Sequence, residues 1–367
     1  MTTEELAKII GVSRITLSKV INGAGGVAPS TEKKIREYID RYNFVPNSKA
    51  RSLVGKKEHI IGLFSAYSQK NSGASSDITS HFATEMINLV VNNAQKCDYK
   101  TLVYLTEQQE DTKSIERIIN SSMVRGAILL GYDTGSTEIK YLAERGYPLV
   151  LVNQEKDSYY DNVVVVNMDD QVSASYAIEM LVRNEHRNIL YIGCDRHRLP
   201  AIRRQKGVRS AVEKWQYKID KLTEINCDFS EEKAYHEIYR MYSSSETDKP
   251  TGIFAANDIM AIGAMNALKA LGYNIPKDVS IIGFDDITIS KYLTPGLTTM
   301  RCNFDKIASV SVNSLVDLIE KRDTVRHVEV PVEFIERGTL SKAKKRNSYG
   351  NFRIDSLYHK FQLTFCF

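Results

Sequence analysis

Residues 11–23 read GVSRITLSKVING, and this stretch predicts the turn and the second helix of a helix-turn-helix. Gly11 permits the left-handed backbone of a sharp turn, and Ser13 is a residue type that often begins a helix. Gly23 is suited to end that helix. The apolar residues predicted to face inward are Leu17, Val20 and Ile21. The opposite face, which includes Arg14, is then left for solvent or for a partner.

Two further helices are predicted on either side of this stretch. Thr2 and Glu5 have the spacing of a capping box, which predicts that a first helix begins next to Thr2. Pro29 suits the first turn of a third helix, whose apolar residues would cover the other two helices. A glycine between two short helices is also typical of an ordinary helical bundle, so this pattern alone leaves that alternative open.

Residues 11–23 closely resemble the signature of the lactose-repressor/galactose-repressor family of bacterial transcription regulators, and residues 43–53, NFVPNSKARSL, resemble the hinge of that family. The resemblance implies that the hinge becomes helical only when two subunits lie side by side on DNA. A leucine from each hinge then enters the minor groove, and Leu53 occupies that position. A plain interdomain linker is the alternative. The DNA contacts implied by the resemblance are Ser13, Arg14, Ile15, Thr16, Ser18, Lys19, Asn22, Asn47, Ala50, Arg51 and Leu53.

One position departs from the family pattern. Family members usually have a serine one residue after Val27, where this chain has Ala28. Because alanine offers no side-chain acceptor, we expect the third helix to be less firmly capped, by roughly 1 kcal/mol.

Charge is unevenly distributed along the chain, although its net value is only +4. Residues 1–57 carry 11 Lys and Arg against 5 Asp and Glu, residues 58–340 carry 32 against 39, and residues 341–367 carry 6 against 1. A basic head on an acidic body is typical of a nucleic-acid-binding module joined to a domain for another ligand. Chance clustering is the alternative, so charge alone does not decide the function.

Apolar segments alternate with helical segments over residues 60–283. Continuous apolar strands separated by helices predict parallel sheets that are covered on both faces. A chain of 367 residues is too long for one compact core, so two Rossmann-like lobes are expected. The predicted strands lie at 60–64, 101–105, 126–130, 148–152, 163–166, 189–192, 252–255 and 279–283.

The family resemblance covers this region too, on motifs such as PKDVSIIGFDD at 276–286 and ERGT at 336–339. It implies an α/β fold in which an N-terminal helix-turn-helix head precedes two Rossmann-like lobes of the periplasmic-binding-protein type. The expected limits are 1–45 for the head, 46–58 for the hinge, 59–340 for the effector-binding and dimerisation domain, and 341–367 for a disordered extension. Within that domain, lobe 1 is expected at about 59–161 and 298–324, and lobe 2 at about 162–297 and 325–340.

Several polar residues follow predicted strands, and ligands of such sheets bind beyond the carboxyl ends of the strands. The resemblance implies that Arg204, Asn257 and Asp285 hydrogen-bond hydroxyl groups of an effector. It also places Asn153 at a further effector position and Phe229 where an aromatic ring stacks on the ligand. A guanidinium, an amide and a carboxylate around one flat ring make a good polyol clamp.

Two of these residues and two of their neighbours also have a purely structural interpretation. Asn257 and Asp258 could cap the helix that follows them. Asp286 could serve only to hold the end of its strand, and Phe229 could belong to the core.

Two other classes of protein have less support. The chain has no glycine-rich dinucleotide or phosphate loop, no nucleophile elbow and no zinc-protease motif, so no enzyme is predicted. Its five cysteines form no Cys-x-x-Cys pair, so no metal site or disulfide framework is expected. A solute-binding sugar-transport protein shares the two-lobed body. That class needs an export signal, which is not visible here, and has no reason to carry a helix-turn-helix.

These patterns together predict a sequence-specific DNA-binding transcription regulator. The resemblance implies a cytoplasmic homodimeric repressor that binds a near-palindromic operator and responds to a small effector, expected to be a sugar, between its two lobes. No cofactor or metal is expected, and no apolar run is long enough to cross a membrane. The sequence does not distinguish an inducer from a corepressor.

Overall fold

The computed structural model describes residues 2–21, 24–42, 44, 59–67, 81–107, 112–121, 123–132, 137–155, 160–194 and 197–344. Three helices form the head, and two six-stranded sheets with their helices form two lobes. The predicted fold class is confirmed.

Short-range hydrogen bonds begin and end the helices of the head. These helices are α1 (Thr3–Ile10), α2 (Arg14–Ile21) and α3 (Pro29–Arg41). The predicted capping box is present: the N–H of Glu5 donates to Thr2 Oγ1 at 3.2 Å, and the N–H of Thr2 donates to Glu5 Oε2 at 2.8 Å. Gly11 ends α1 with a φ of 75°, and Ser13 Oγ accepts from the N–H of Thr16 at 3.0 Å. The small core that joins the helices consists of Leu6, Ala7, Ile10, Leu17, Val20, Ile35 and Phe44.

The start of α3 lacks a side-chain cap. Ala28 occupies the N-cap position with φ −59° and ψ 138°, and no side-chain hydrogen bond reaches the first turn from it. A serine here would accept from a free backbone N–H, so Ala28→Ser is expected to stabilise α3 by about 1 kcal/mol. Hydrogen–deuterium exchange of the α3 amides in the full-length protein measures the effect. Ala28→Val, which adds bulk without an acceptor, is the control, and equal exchange in the two variants would contradict the prediction.

Strands and helices alternate along the two lobes. The strands are β1 (Ile60–Tyr67), β2 (Lys100–Glu107), β3 (Ala127–Leu130), β4 (Leu149–Val152), β5 (Val163–Met168), β6 (Asn188–Gly193), β7 (Lys221–Asn226), β8 (Gly252–Ala255), β9 (Ser280–Asp285), β10 (Thr298–Cys302), β11 (His327–Val330) and β12 (Val332–Ile335). The helices are α4 (His81–Lys96), α5 (Thr112–Asn120), α6 (Thr137–Glu144), α7 (Asp170–Arg183), α8 (Leu199–Lys214), α9 (Glu231–Ser243), α10 (Asp258–Ala270) and α11 (Phe304–Ile319), with a short 3-10 helix at Thr288–Lys291.

The first sheet has the strand order β11-β5-β4-β3-β1-β2 and the second the order β12-β10-β9-β8-β6-β7. All the pairings are parallel except that of β10 with β12. In the first sheet, alternate side chains of β4 and β5 enter different clusters, one with α4 and α11 and one with α5 and α6. Both faces of these strands are therefore buried, which explains their continuous apolar sequences.

The membership of the sheets differs from the expected limits of the lobes. Residues 163–168 and 327–330 belong to the first sheet rather than to lobe 2, and residues 298–302 belong to the second sheet rather than to lobe 1. The chain changes lobe three times, between β5 and α7, between β10 and α11, and between β11 and β12. An apolar run indicates a buried strand but does not indicate which sheet the strand joins, because that choice depends on non-local pairing.

The first residues of the expected disordered extension are ordered. The N–H of Ala343 donates to the Asn184 carbonyl at 2.8 Å, and the Ser341 carbonyl lies 3.0 Å from Nε2 of the buried His186. Lys344 pairs with Asp278. The expectation of disorder is therefore wrong for residues 341–344, while residues 345–367 lie outside the described residues.

None of the helices in the described part of the chain is long and apolar enough to span a membrane.

Candidate functional site

Three side chains on the outer face of α2 are exposed to solvent. Arg14, Ile15 and Lys19 are exposed, and Ile15 is 71% exposed although it is apolar. Ser13 and Thr16, by contrast, bond to each other through their hydroxyl groups at 2.8 Å. The exposed set combines two cations with one apolar contact, which suits base edges and thymine methyl groups in a major groove.

Of the other sequence-predicted DNA contacts, one more lies among the described residues. Ser18 is half-buried on α2 and makes an interaction within the protein. The remaining predicted contacts lie outside the described residues: Asn22, Asn47, Ala50, Arg51 and Leu53.

Three predicted effector residues have left-handed backbones at the end of a strand or within three residues of it. Asn153 follows β4 with a φ of 60°, Phe229 follows β7 with a φ of 61°, and Asp285 ends β9 with a φ of 112°. Such conformations are costly for residues other than glycine and tend to occur at functional sites. All three lie at the carboxyl edge of a sheet, where ligands of this fold class bind.

Asn153 has an acceptor that is buried and unused. Its Oδ1 atom is buried and has no hydrogen-bond partner among the described residues. Because a buried acceptor without a donor is destabilising, this atom is suited to receive a hydrogen bond from a ligand.

Arg204 is held by contacts within the second lobe. Its Nε donates to Asp170 Oδ1 at 2.7 Å, and its Nη1 donates to the carbonyl of Ala256. Nη1 also lies 3.6 Å from Asp285 Oδ1. The guanidinium stacks on the ring of Phe284, with 3.6 Å between its Cζ and the ring centroid. Nη2 is therefore the guanidinium nitrogen through which Arg204 could donate to a ligand.

The close packing of α7 and α8 brings Arg204 and Asp170 together. A Cβ added at Gly207 of α8 would lie 2.1 Å from the backbone carbonyl oxygen of Gln171 on α7, so only glycine allows this approach. One turn earlier on α8, Arg204 then reaches the first residue of α7. Both side chains are almost fully buried, at 4% and 2% exposure.

The charges of this cluster shift the pKa values of its members. Burial raises the pKa of Asp285 to about 8, although the neighbouring Arg204 opposes the shift. Burial also raises the pKa of Asp170. Burial disfavours the charged form of Arg204, but Asp170 and Asp285 together raise its pKa. One buried cation thus serves two carboxyl groups, and the proton is expected to remain on Asp285 near neutral pH.

The raised pKa predicts how stability depends on pH. The pKa of folded Asp285 is about 8 and that of an unfolded aspartate is about 4, so the folded state binds more protons between these values. The free energy of unfolding should therefore fall as the pH rises through this range. Asp285→Asn should flatten the dependence, by at most about 1.4 kcal/mol per pH unit. Urea denaturation of both proteins at pH 5 to 8 measures the difference, and parallel curves would contradict it.

The structural interpretations of three other residues agree with their contacts. Asn257 is the N-cap of α10, since its Oδ1 accepts from the N–H of Met260 at 2.9 Å. The fully buried Asp258 accepts from the N–H of Ile287 and from two hydroxyl groups. Asp286 forms ion pairs at 2.7 Å with arginines of β10 and of the segment after β12.

The structure brings only some of the predicted effector residues together. Arg204 and Asp285 are in contact, and Arg204 bonds to the residue before Asn257. Phe229 is half-buried and packs on the main core. Asn153 belongs to the first lobe, and within the described residues it makes no hydrogen bond or ion pair with the second-lobe cluster.

Sequence reasoning missed two residues of the cluster. A buried arginine requires a buried anion, and Asp170 supplies it. Cys302, at the end of β10, lies with its Sγ 3.8 Å from Asp285 Oδ1. No group of His, Cys, Asp and Glu among the described residues could hold a metal ion.

Comparison with known families assigns both parts of the chain. The model for "Bacterial regulatory proteins, lacI family" matches residues 2–47, and that for "Periplasmic binding protein-like domain" matches residues 178–340. The chain is 30% identical to the "Probable HTH-type transcriptional repressor ExuR" of Bacillus subtilis, over 93% of this chain and 99% of that protein. It is 26% identical to the HTH-type transcriptional regulator MalR of Clostridium butyricum, over 92% and 98%.

Solved structures share the fold. The Lac repressor dimer bound to operator and the anti-inducer ONPF has a TM-score of 0.81 at 23% identity, covering 93% of this chain and 99% of that one. A complex of the transcriptional regulator CelR with cellobiose has a TM-score of 0.65 at 21% identity, covering 93% and 100%.

The predicted family is confirmed by the head, the two lobes and a relative that matches over nearly the whole length of both chains. This chain belongs to the lacI family of bacterial regulatory proteins, and it is a DNA-binding transcription regulator rather than an enzyme.

Proposed function

We propose that this regulator is a cytoplasmic repressor that binds near-palindromic double-stranded operator DNA as a homodimer. A small effector, a sugar, binds between its lobes and changes its affinity for the operator. The names of the relatives support repression, and neighbours in fold include a regulator solved with cellobiose and one solved with ribose.

In the proposed DNA complex, α2 enters the major groove. Arg14 and Lys19 reach base edges or phosphates, and the exposed side chain of Ile15 contacts a thymine methyl group. Two subunits would read two half-sites, and Leu53 of each hinge would enter the minor groove between them.

The effector proposal rests on one observation, which is that both lobes offer a carboxyl-edge acceptor with an incomplete set of donors. Asn153 Oδ1 has no partner among the described residues. Among the residues that the structure describes, the side-chain contacts of Asp285 Oδ1 are Nη1 of Arg204 at 3.6 Å and the Cys302 thiol at 3.8 Å, both long. A compound with hydroxyl groups on both sides would complete both acceptors and hold the lobes together.

A solute-binding sugar-transport protein is the second candidate, and only the two-lobed body favours it. The head gives a transport protein no advantage, since its exposed cations and apolar side chain face away from its own small core.

A binding experiment tests the effector proposal. Fluorescence anisotropy measures binding to a duplex recovered by selection from random DNA, with and without D-glucose, D-ribose, D-galacturonate, cellobiose or hypoxanthine. Asp285→Asn replaces one carboxyl oxygen with an amide nitrogen, which cannot accept a hydrogen bond, and Asp305→Asn, at an exposed residue of α11, is the control.

If the compound is an inducer, Asp285→Asn should bind the duplex like the wild type and fail to respond to the compound that switches the wild type. If it is a corepressor, the variant should bind weakly in both conditions. A wild-type response in Asp285→Asn would contradict the proposed pocket.

A further inference from the structure

The carboxyl edge of the first sheet contains a buried amide network next to Asn153. β4 and β5 pair in parallel up to Val152 opposite Val166, and the N–H of Asn153 still donates to the carbonyl of Val166 at 3.0 Å. Beyond that point the side chain of Asn167, rather than the backbone of β5, provides the hydrogen-bond partners. Its Oδ1 accepts from the N–H of Gln154 at 3.1 Å, and its Nδ2 donates to the Gln154 carbonyl at 2.9 Å.

This replacement follows from the backbone of Asn153. A φ of 60° turns the chain out of the strand, so the next peptide groups can no longer pair with β5 through their backbone. Buried peptide groups nonetheless need partners. A primary amide has an acceptor oxygen and an NH2 group with two donors. Asn167, at 1% exposure, satisfies both backbone groups of Gln154, and its Nδ2 also lies 3.4 Å from Nε2 of His327.

The side chain of Gln154 fixes the same turn from the other side. It is 4% exposed, and its Nε2 donates to the carbonyl of Tyr132 at 2.6 Å. Tyr132 lies just after β3, which pairs with β4. The ends of three neighbouring strands are therefore tied together around Asn153.

A network that served only to close the sheet would satisfy all its members, because unpaired buried polar atoms are costly. Here the amides of Gln154 and Asn167 are bonded, and Oδ1 of Asn153, which they surround, has no partner among the described residues. The network thus holds one unsatisfied acceptor rigidly in place.

We infer that Gln154 and Asn167 are positioning residues for effector recognition. They fix the left-handed turn that presents Asn153 Oδ1 to a hydroxyl donor of the effector. This inference rests on the proposed function, because it requires that an effector binds between the lobes.

The test compares the two ends of one strand. Asn167→Ala removes the two bonds to Gln154. Asn162→Ala is the matched control: Asn162 directly precedes β5 and also bonds to backbone, donating to the carbonyls of Ala143 and Tyr147 at 3.1 and 2.7 Å. Calorimetry measures the affinity of each protein for whichever of D-glucose, D-ribose, D-galacturonate and cellobiose binds the wild type. Thermal unfolding without the compound measures stability.

We expect both variants to lose stability, but only Asn167→Ala to lose affinity, by about tenfold or more, while Asn162→Ala stays within about twofold of the wild type. Gln154→Met, which removes one donor at similar volume, should lose affinity in the same direction and covers the case in which Asn167→Ala does not fold. Asn153→Ala should lose affinity, and adding Asn167→Ala to it should cost less than about threefold more, because the two residues act as one unit.

Three results would overturn the inference: wild-type affinity in Asn167→Ala and Gln154→Met, an equal loss in Asn162→Ala, or a full additional loss in the double variant. If none of the four sugars binds the wild type, the proposed sugar response is contradicted, and the inference that depends on it is contradicted as well. Binding to the wild type with no effect of Asn167→Ala rejects the inference alone.

Discussion

Replacing Arg204 with alanine should lower the free energy of unfolding by about 3–5 kcal/mol. The guanidinium is buried, and its removal would leave the carboxylate of Asp170 in the protein interior without a counter-charge. The carbonyl of Ala256 would lose its donor, and the ring of Phe284 would lose its stacking partner. Urea denaturation followed by circular dichroism measures the loss.

The adjacent residue provides a matched control. Arg203 also forms an ion pair, with Glu329 at 2.9 Å, but the two side chains are 22% and 47% exposed. Arg203→Ala should therefore cost about 1 kcal/mol or less. Asp170→Asn in the Arg204→Ala background should recover part of the loss, because it removes the stranded charge. Equal losses in Arg203→Ala and Arg204→Ala would contradict the structural role.

This role changes how the effector proposal can be tested. If the effector is an inducer, a role of Arg204 as an effector contact alone predicts that Arg204→Ala leaves operator binding intact and removes only the response to the effector. Because the side chain holds α7, α8 and the end of β8 together, loss of operator binding in that variant would report instability as well as lost recognition. Asp285→Asn perturbs the fold less, since the contacts of the Asp285 side chain with described residues are long, at 3.6 and 3.8 Å.

Operator affinity should fall by about 10³-fold or more when salt rises from 50 to 200 mM, if the dimer neutralises six or more phosphates. The physical reason is counterion release, since lysine and arginine side chains of the basic first 57 residues displace cations from the DNA. Binding of a neutral sugar to the lobes is the internal control and should change little over the same range. A flat response of operator affinity would contradict phosphate-based binding by the head.

Local features of the head could be predicted because they depend on neighbours in sequence. The capping box of Thr2 and Glu5, the glycine turn at Gly11 and the capping serine at Ser13 all involve residues within a few positions of one another. The weak cap at Ala28 is of the same kind. Such features follow from backbone chemistry that repeats in every protein.

Non-local features could not be predicted in this way. The apolar run 163–166 indicates a strand, but only the folded chain shows that it pairs with β4 and β11 in the first sheet. β7, which reads KLTEIN, was not predicted at all, because as the edge strand of its sheet it is only half-buried and carries polar residues.

In the candidate site, too, some features could be predicted from the sequence and others could not. The resemblance placed Arg204 and Asp285 together, and the structure brings them within 3.6 Å. The resemblance did not reveal that Asp170 accepts a hydrogen bond from the Arg204 guanidinium, nor that Asn167 supports the turn at Asn153. Each of these contacts joins residues at least 13 positions apart. Buried polar side chains need partners, but a sequence does not say which partner is near.

Two copies of this chain are expected to read one operator through their heads. Selection of bound duplexes from a random DNA pool by the purified full-length protein, followed by sequencing, measures this. We expect an enriched near-palindromic motif with two half-sites, bound by two subunits, and bound much more weakly when either half-site is scrambled. Enrichment of no motif, or of a single half-site bound as tightly as the pair, would show that the heads do not read an operator in this way.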